Sequence, residues 1–112
     1  MRSLTVAREK DSIAVSIEAS KPLRASTSTL SNPDRIVIDL ADVRLKRPQR
    51  ITVNAADVQT VHASLFLVNP LVTRVVVELA HPHAYHLEPS GNSLKLRIET
   101  DDIKSAGSQP AR

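Results

Sequence analysis

The chain has 112 residues, of which 41% are hydrophobic and 24% charged, with a formal net charge of +3. That is enough apolar material for one compact core and too little chain for two independent domains. The absence of cysteine excludes disulfides, thiolate metal sites and thiol catalysis, and apolar runs such as 64–68 are far below the roughly 18 residues of a membrane-spanning helix.

The chain reaches Arg8, Glu9 and Lys10 too soon for an apolar export segment of about 7 to 15 residues, so any export signal is expected upstream. Val, Ile and Thr together supply 26 residues. These β-branched side chains lose freedom in helices and pack well on a pleated surface, which makes an all-β fold the expectation.

Leu4 and Val6, then Ile13, Val15 and Ile17, alternate with small or polar residues on either side of Glu9-Lys10-Asp11. Period two flanking a polar turn predicts a hairpin. After Lys21-Pro22, the Ser- and Thr-rich stretch Leu23 to Leu30 suits an edge strand. Ser31-Asn32-Pro33-Asp34 is a turn, and Arg35 to Leu40 reads as a central strand with Ile36, Ile38 and Leu40 on one face.

Residues 41–50 form a basic connector broken by Pro48. Over 54–59 a short helix capped by Asn54 and a strand running through Val58, Val61, Ala63 and Leu65 fit equally well. Val68-Asn69-Pro70-Leu71 is a further turn. The run Val75-Val76-Val77 within 73–80 predicts a strand covered on both faces. Residues 84–87 are short and extended, Gly91 supplies positive φ to a tight turn at 89–92, and Leu94, Leu96 and Ile98 alternate on a last strand. Residues 101–112 read as a polar linker or tail after a domain spanning 1–100.

The two halves repeat. Val15 and Ile17 precede Val75 and Val77 by 60 residues, Pro22 precedes Pro82 by 60, and Ile36, Ile38 and Leu40 precede Leu94, Leu96 and Ile98 by 58. Such a repeat predicts a small sandwich of two similar, mostly antiparallel sheets with about 7 or 8 strands.

Little in the sequence points to catalysis. The serines sit in no nucleophile-elbow pattern, Gly91 alone cannot cradle a phosphate, and Asp101-Asp102 lie in the polar tail. His81, His83 and His86 cluster in sequence, but the first two flank a proline and no thiolate supports them, so neither a metal nor any other cofactor is expected. Phe66 and Tyr85 are the only aromatic residues, too few for base stacking, so no nucleic-acid partner is expected. The charge is uneven instead: Arg44, Lys46, Arg47 and Arg50 fall within seven residues that hold no acid, a patch for an anionic partner or a solvated loop.

Asn32-Pro33-Asp34-Arg35-Ile36-Val37-Ile38-Asp39-Leu40 resembles the signature of the AMIN domain, a proline, then arginine, three hydrophobic residues and an acid. Asn69-Pro70-Leu71-Val72-Thr73-Arg74-Val75-Val76-Val77-Glu78-Leu79 is similar to a second segment of that family, and Tyr85 with Gly91-Asn92-Ser93-Leu94-Lys95-Leu96 to its closing hairpin. The chain departs from the family at His62 and Leu65, where many members carry a basic residue and a glutamine.

The resemblance implies a sandwich of two similar four-stranded sheets. It also implies a non-catalytic, periplasmic module that binds peptidoglycan and localises an attached amidase or type IV pilus secretin domain. The alternative function is a protein-interaction module in a secretin or division complex, docking by strand addition along Leu23 to Leu30. The candidate ligand-binding residues are Arg35, Arg74, Arg44, Lys46, Arg47 and Arg50. For Arg35 and Arg74 an ion pair with Asp39 or Glu78 is the competing expectation.

Overall fold

The computed structural model describes residues 1–100, over which the chain forms nine strands and no helix; the expected tail 101–112 lies outside the described residues. β1 (Ser3–Glu9) and β2 (Ser12–Glu18) form the first hairpin. β3 (Ala25–Leu30) and β4 (Asp34–Ala41) form the second, folded at the Asn-Pro turn. β5 (Gln49–Ala55), β6 (Val58–Leu67) and β7 (Val72–Leu79) follow as an antiparallel meander. β8 (Tyr85–Ser90) and β9 (Ser93–Glu99) close the domain around Gly91, whose φ is +59°.

One sheet has the order β1-β2-β9-β8 and the other β3-β4-β7-β6-β5. Between 54 and 59 the extended alternative is the one adopted: Asn54, Ala56 and Asp57 take positive φ and reverse the chain from β5 into β6.

The repeat explains both sheets. β2, β3 and β4 correspond to β7, β8 and β9, and each half places its first strand in one sheet and the other two in the opposite sheet. The order β8-β9-β2-β1 is therefore the order β3-β4-β7-β6 built from the other half. Register carries over as well: Val15 faces Leu96 and Ile17 faces Leu94 in one sheet, while Val75 faces Ile38 and Val77 faces Ile36 in the other.

The inward residues are those the alternation marks, with Ile13, Val15, Ile17, Ile36, Ile38, Leu40, Val75, Val77, Leu94, Leu96 and Ile98 all buried. Full burial of one such side chain contributes about 1.5–3 kcal/mol. The connector 42–48 adds Val43 and Leu45 to this core.

Two expectations need correction. The sheets hold four and five strands rather than four each, because 49–55 pairs with β6 and adds an outer strand with no counterpart in the repeat. β7 is not covered on both faces. Its burial alternates, with Val76 half-buried on the outside, since no third layer among the described residues lies over that sheet.

Thr73 occupies the position equivalent to Ile13 and is fully buried. A hydroxyl there costs stability unless it is bonded. Thr73 Oγ1 donates to the Val43 carbonyl at 2.6 Å, which fastens the connector under β7.

Candidate functional site

The outer face of the five-stranded sheet can be read directly from its register. Side chains of like parity along antiparallel neighbours form rows across the strands. One row runs Ser26, Asp39, Arg74, Ser64; the next Ser28, Val37, Val76, His62, Arg50; the third Leu30, Arg35, Glu78, Thr60, Thr52. Val37 and Val76 form its apolar centre, with charged residues on both sides.

The motifs Arg35-x-x-x-Asp39 and Arg74-x-x-x-Glu78 lie antiparallel on β4 and β7, so each arginine stands opposite the other motif's acid. Only one of these pairs closes. Arg74 makes a two-pronged bond to Asp39, Nε to Oδ1 at 2.7 Å and Nη2 to Oδ2 at 3.0 Å, and its guanidinium carbon lies 3.6 Å from the centre of the Phe66 ring. Hydrogen bonding to Asp39 raises the Arg74 pKa against the opposing effect of burial, and both the fork and the ring contact favour arginine over lysine.

Arg35 has no such partner. Its Nε donates to the Pro33 carbonyl at 3.3 Å, while Glu78 accepts from the Thr60 hydroxyl and lies 3.9 Å from His62 Nε2. Among the described residues no carboxylate pairs with Arg35, and its guanidinium keeps donors available beside a hollow of about 190 Å3 that also involves Leu30 and His83. Arg35 and Arg74, on neighbouring strands, are offset by four residues, roughly 13 Å along the strand direction.

Arg50 shares this face, opposite His62 on edge strand β5. Arg44, Lys46 and Arg47 do not. They are exposed on the connector 42–48 at the end of the sandwich, where buried Val43 and Leu45 alternate with Arg44 and Lys46 and turn the basic side chains outward. The structure therefore brings Arg35, Arg50 and Arg74 onto one face, commits Arg74 to an internal pair, and sets the remaining three at the rim.

On the outer face of the four-stranded sheet both basic side chains are paired with acids. Arg97 bonds Glu88 through Nε at 3.0 Å and Nη2 at 3.3 Å, and also bonds Glu9. Lys95 lies 3.8 Å from Glu9, and His86 bonds Glu99. Hydrogen bonding to Arg97 holds the Glu88 carboxyl below its ordinary range. Against partial desolvation, Ser12, Arg97 and Lys95 do the same for Glu9.

The three histidines that cluster in sequence divide between two places. His81 Nδ1 and His83 Nε2 both bond Asp57 Oδ2, at 3.2 and 3.0 Å, and His83 Nδ1 faces the Glu99 carbonyl at 2.9 Å; His86 lies apart on β8. Among the described residues no group of three or more His, Asp or Glu has a metal-holding arrangement.

The bond from His83 is the main reason the Asp57 carboxyl is held low. Since the folded-state pKa values of Asp57, Glu9 and Glu88 lie below their unfolded ones, the stability they contribute is complete above the ordinary carboxylate range. It is lost as pH falls through the lowered values, below about pH 4. Thermal melts at stepped acid pH are expected to show this loss, and Asp57→Asn to flatten its share; an unchanged acid profile in that variant would remove Asp57 from the account.

Phe66 under Arg74, Val37 and Val76 at the centre of the face, and the Arg97 network are functional or structural features that sequence reasoning missed. The paired Arg-x-x-x-acid spacing carries a signal for the first cross-strand bond, because antiparallel alignment of the two motifs opposes the charges. Compared with protein-family models, residues 3–98 match the AMIN domain. No curated protein matches the chain.

Proposed function

The chain belongs to the AMIN domain family, and we propose that it is a non-catalytic peptidoglycan-binding module of the periplasm that localises an attached amidase or secretin domain. The observation that carries this reading is the contrast between the two outer faces. One face pairs both of its basic side chains, Lys95 and Arg97, with acids, while the other leaves the half-buried Arg35 without a carboxylate partner and Arg50 exposed, with the basic connector at its rim. The ligand chemistry that suits such a face is the stem-peptide carboxylate, bound by guanidinium forks, together with sugar hydroxyls bound by Ser and Thr on the same rows. Weak contacts suffice, because a tethered module acts by raising local concentration.

Sedimentation with purified insoluble peptidoglycan tests the reading. Wild type is expected in the pellet, and Arg35→Glu combined with Arg47→Glu is expected to lower retention about tenfold or more, on the scale of charge-assisted hydrogen bonds. Lys10→Glu, a charge reversal at the β1–β2 turn, is expected to bind as wild type. Equal loss in both variants would replace a defined face with nonspecific charge attraction.

A further inference from the structure

The sandwich has four strand edges, and three carry features that discourage pairing. β1 bears Arg8 and Glu9, β8 contains Pro89, and β5 carries Arg50 and a register shift between Thr52 and Ala55. β3, Ala-Ser-Thr-Ser-Thr-Leu, has no charge, proline or bulge, and all six of its residues are exposed.

The backbone of β3 determines what can be added to it. The Ala41 amide donates to the Arg24 carbonyl at 3.0 Å, which makes 24 and 41 a hydrogen-bonded pair in the same register as β3 and β4. Since bonded and non-bonded pairs alternate in an antiparallel ladder, Ser26, Ser28 and Leu30 spend their backbone groups on β4. The N–H and C=O groups of Ala25, Thr27 and Thr29 point away from the sheet.

We propose that this edge pairs with β3 of a second copy of the chain, antiparallel and centred on Thr27, joining two five-stranded sheets into one. The edge is complementary to itself in that register. Thr27 faces Thr27 of the second copy and Ala25 faces Thr29, so every outward donor and acceptor of both copies is used. Ser26 faces Ser28, and cross-strand Thr and Ser pairs are favourable.

No like charges meet within the strand, and Leu30, 44% exposed in the isolated domain, comes opposite Arg24, whose stem can cover it. An extended peptide from another protein could use the same backbone groups, but nothing in β3 supplies it with a side-chain pocket or a charge to select it. The two-fold axis leaves both outer faces on the same side of the joined sheet. For the binding reading above, on which this consequence alone rests, dimerisation doubles the basic face presented to a polymeric ligand.

An edge contact of six residues is smaller than the standard interface of about 1,600 Å2, so the dimer is expected to dissociate with a constant above about 1 μM. Sedimentation equilibrium of the full chain, without peptidoglycan, is expected to show average mass rising toward the dimer up to about 1 mM. Thr27→Lys places two lysines directly opposite each other, with Cα atoms about 5.5 Å apart, and is expected to lower the dimer fraction at least about tenfold.

Because the chain has no cysteine, single substitutions report the register. Thr27→Cys is expected to form a disulfide-linked dimer under mild oxidation. Thr29→Cys is not, since its counterpart lies roughly 13 Å away, beyond the about 7 Å limit for a bridge. A monomer at every concentration, equal cross-linking of the two cysteine variants, or Thr27→Lys dimerising like wild type would each overturn the proposal. So would a monomer whose edge is filled only by a partner's extended peptide. Loss of peptidoglycan binding with the dimer intact would instead count against the cell-wall reading alone.

Discussion

Leu96→Ala is expected to destabilise the domain by about 2–5 kcal/mol, and Ile38→Ala by a comparable amount, the usual cost of truncating a large aliphatic side chain in a packed core. Both residues are fully buried, and the repeat makes them equivalents. Leu96 faces Val15 where β9 joins β2, and Ile38 faces Val75 where β4 joins β7.

Neither site has a partner strand that can shift inward without losing the register on its other side, so collapse of the cavity is restricted. Urea unfolding of each variant measures the cost as a change in midpoint at constant slope. Val68→Ala, at a turn residue 66% exposed, is expected to stay within about 0.5 kcal/mol of wild type. A cost below about 1 kcal/mol at either core position would show that the two seams do not share one close-packed interior.

Thr73→Val has the second largest expected effect on stability, about 1–3 kcal/mol, although it keeps the shape of the side chain and makes it more apolar. The cost arises at the other end of the bond. The Val43 carbonyl loses the hydroxyl that satisfies it at 2.6 Å and stays buried with the connector. Thr73→Ser, which retains the donor, is expected to lose less than the full effect if it can keep the bond, which separates the hydroxyl's contribution from that of the methyl. Faster hydrogen exchange across 42–48 in the valine variant is the accompanying local signature; a valine variant as stable as wild type would mean that the bond contributes nothing net.

Much of the fold is legible because one chemical rule acts at nearly every strand. Ile36, Ile38 and Leu40 alternate with Arg35, Val37 and Asp39 because one face of β4 meets the core while the other forms the outer surface. There the charged ends are only half-buried although Val37 between them is covered; β9 alternates in the same way. The repeat shows that the sheets are alike, yet it cannot show that each half divides its strands between them, since alternation records burial and not the neighbour.

Thr73 hides for a related reason. A hydroxyl on a strand usually marks the wet side, and only the carbonyl of a residue 30 positions away makes its burial tolerable. The run Val75-Val76-Val77 misleads in the opposite direction, because an apolar residue at the centre of an exposed face looks the same in sequence as one beneath a third layer.

The candidate face is legible in part. The arginines of the two motifs stand out by spacing, and their pairing options follow from the antiparallel register. Which arginine is taken depends on Phe66 and on Glu78 being drawn toward Thr60 and His62, contacts made by side chains from β6 that no local pattern announces. The basic connector is visible as a charge run. Its separation from Arg35 is not, because a loop's path across the end of a sandwich is set by where Val43 and Leu45 find room.

The division of each half between the two sheets makes the domain indivisible. The middle of one sheet joins Ser12 to Glu99, so that layer gains its centre only when nearly the whole chain is present. Whichever half forms first holds only a hairpin or meander of each layer, with the seams between β2 and β9 and between β4 and β7 still open. Closing so long a span slows folding and gives it a high contact order, but once both ends are clasped, neither half can leave without opening both layers at once.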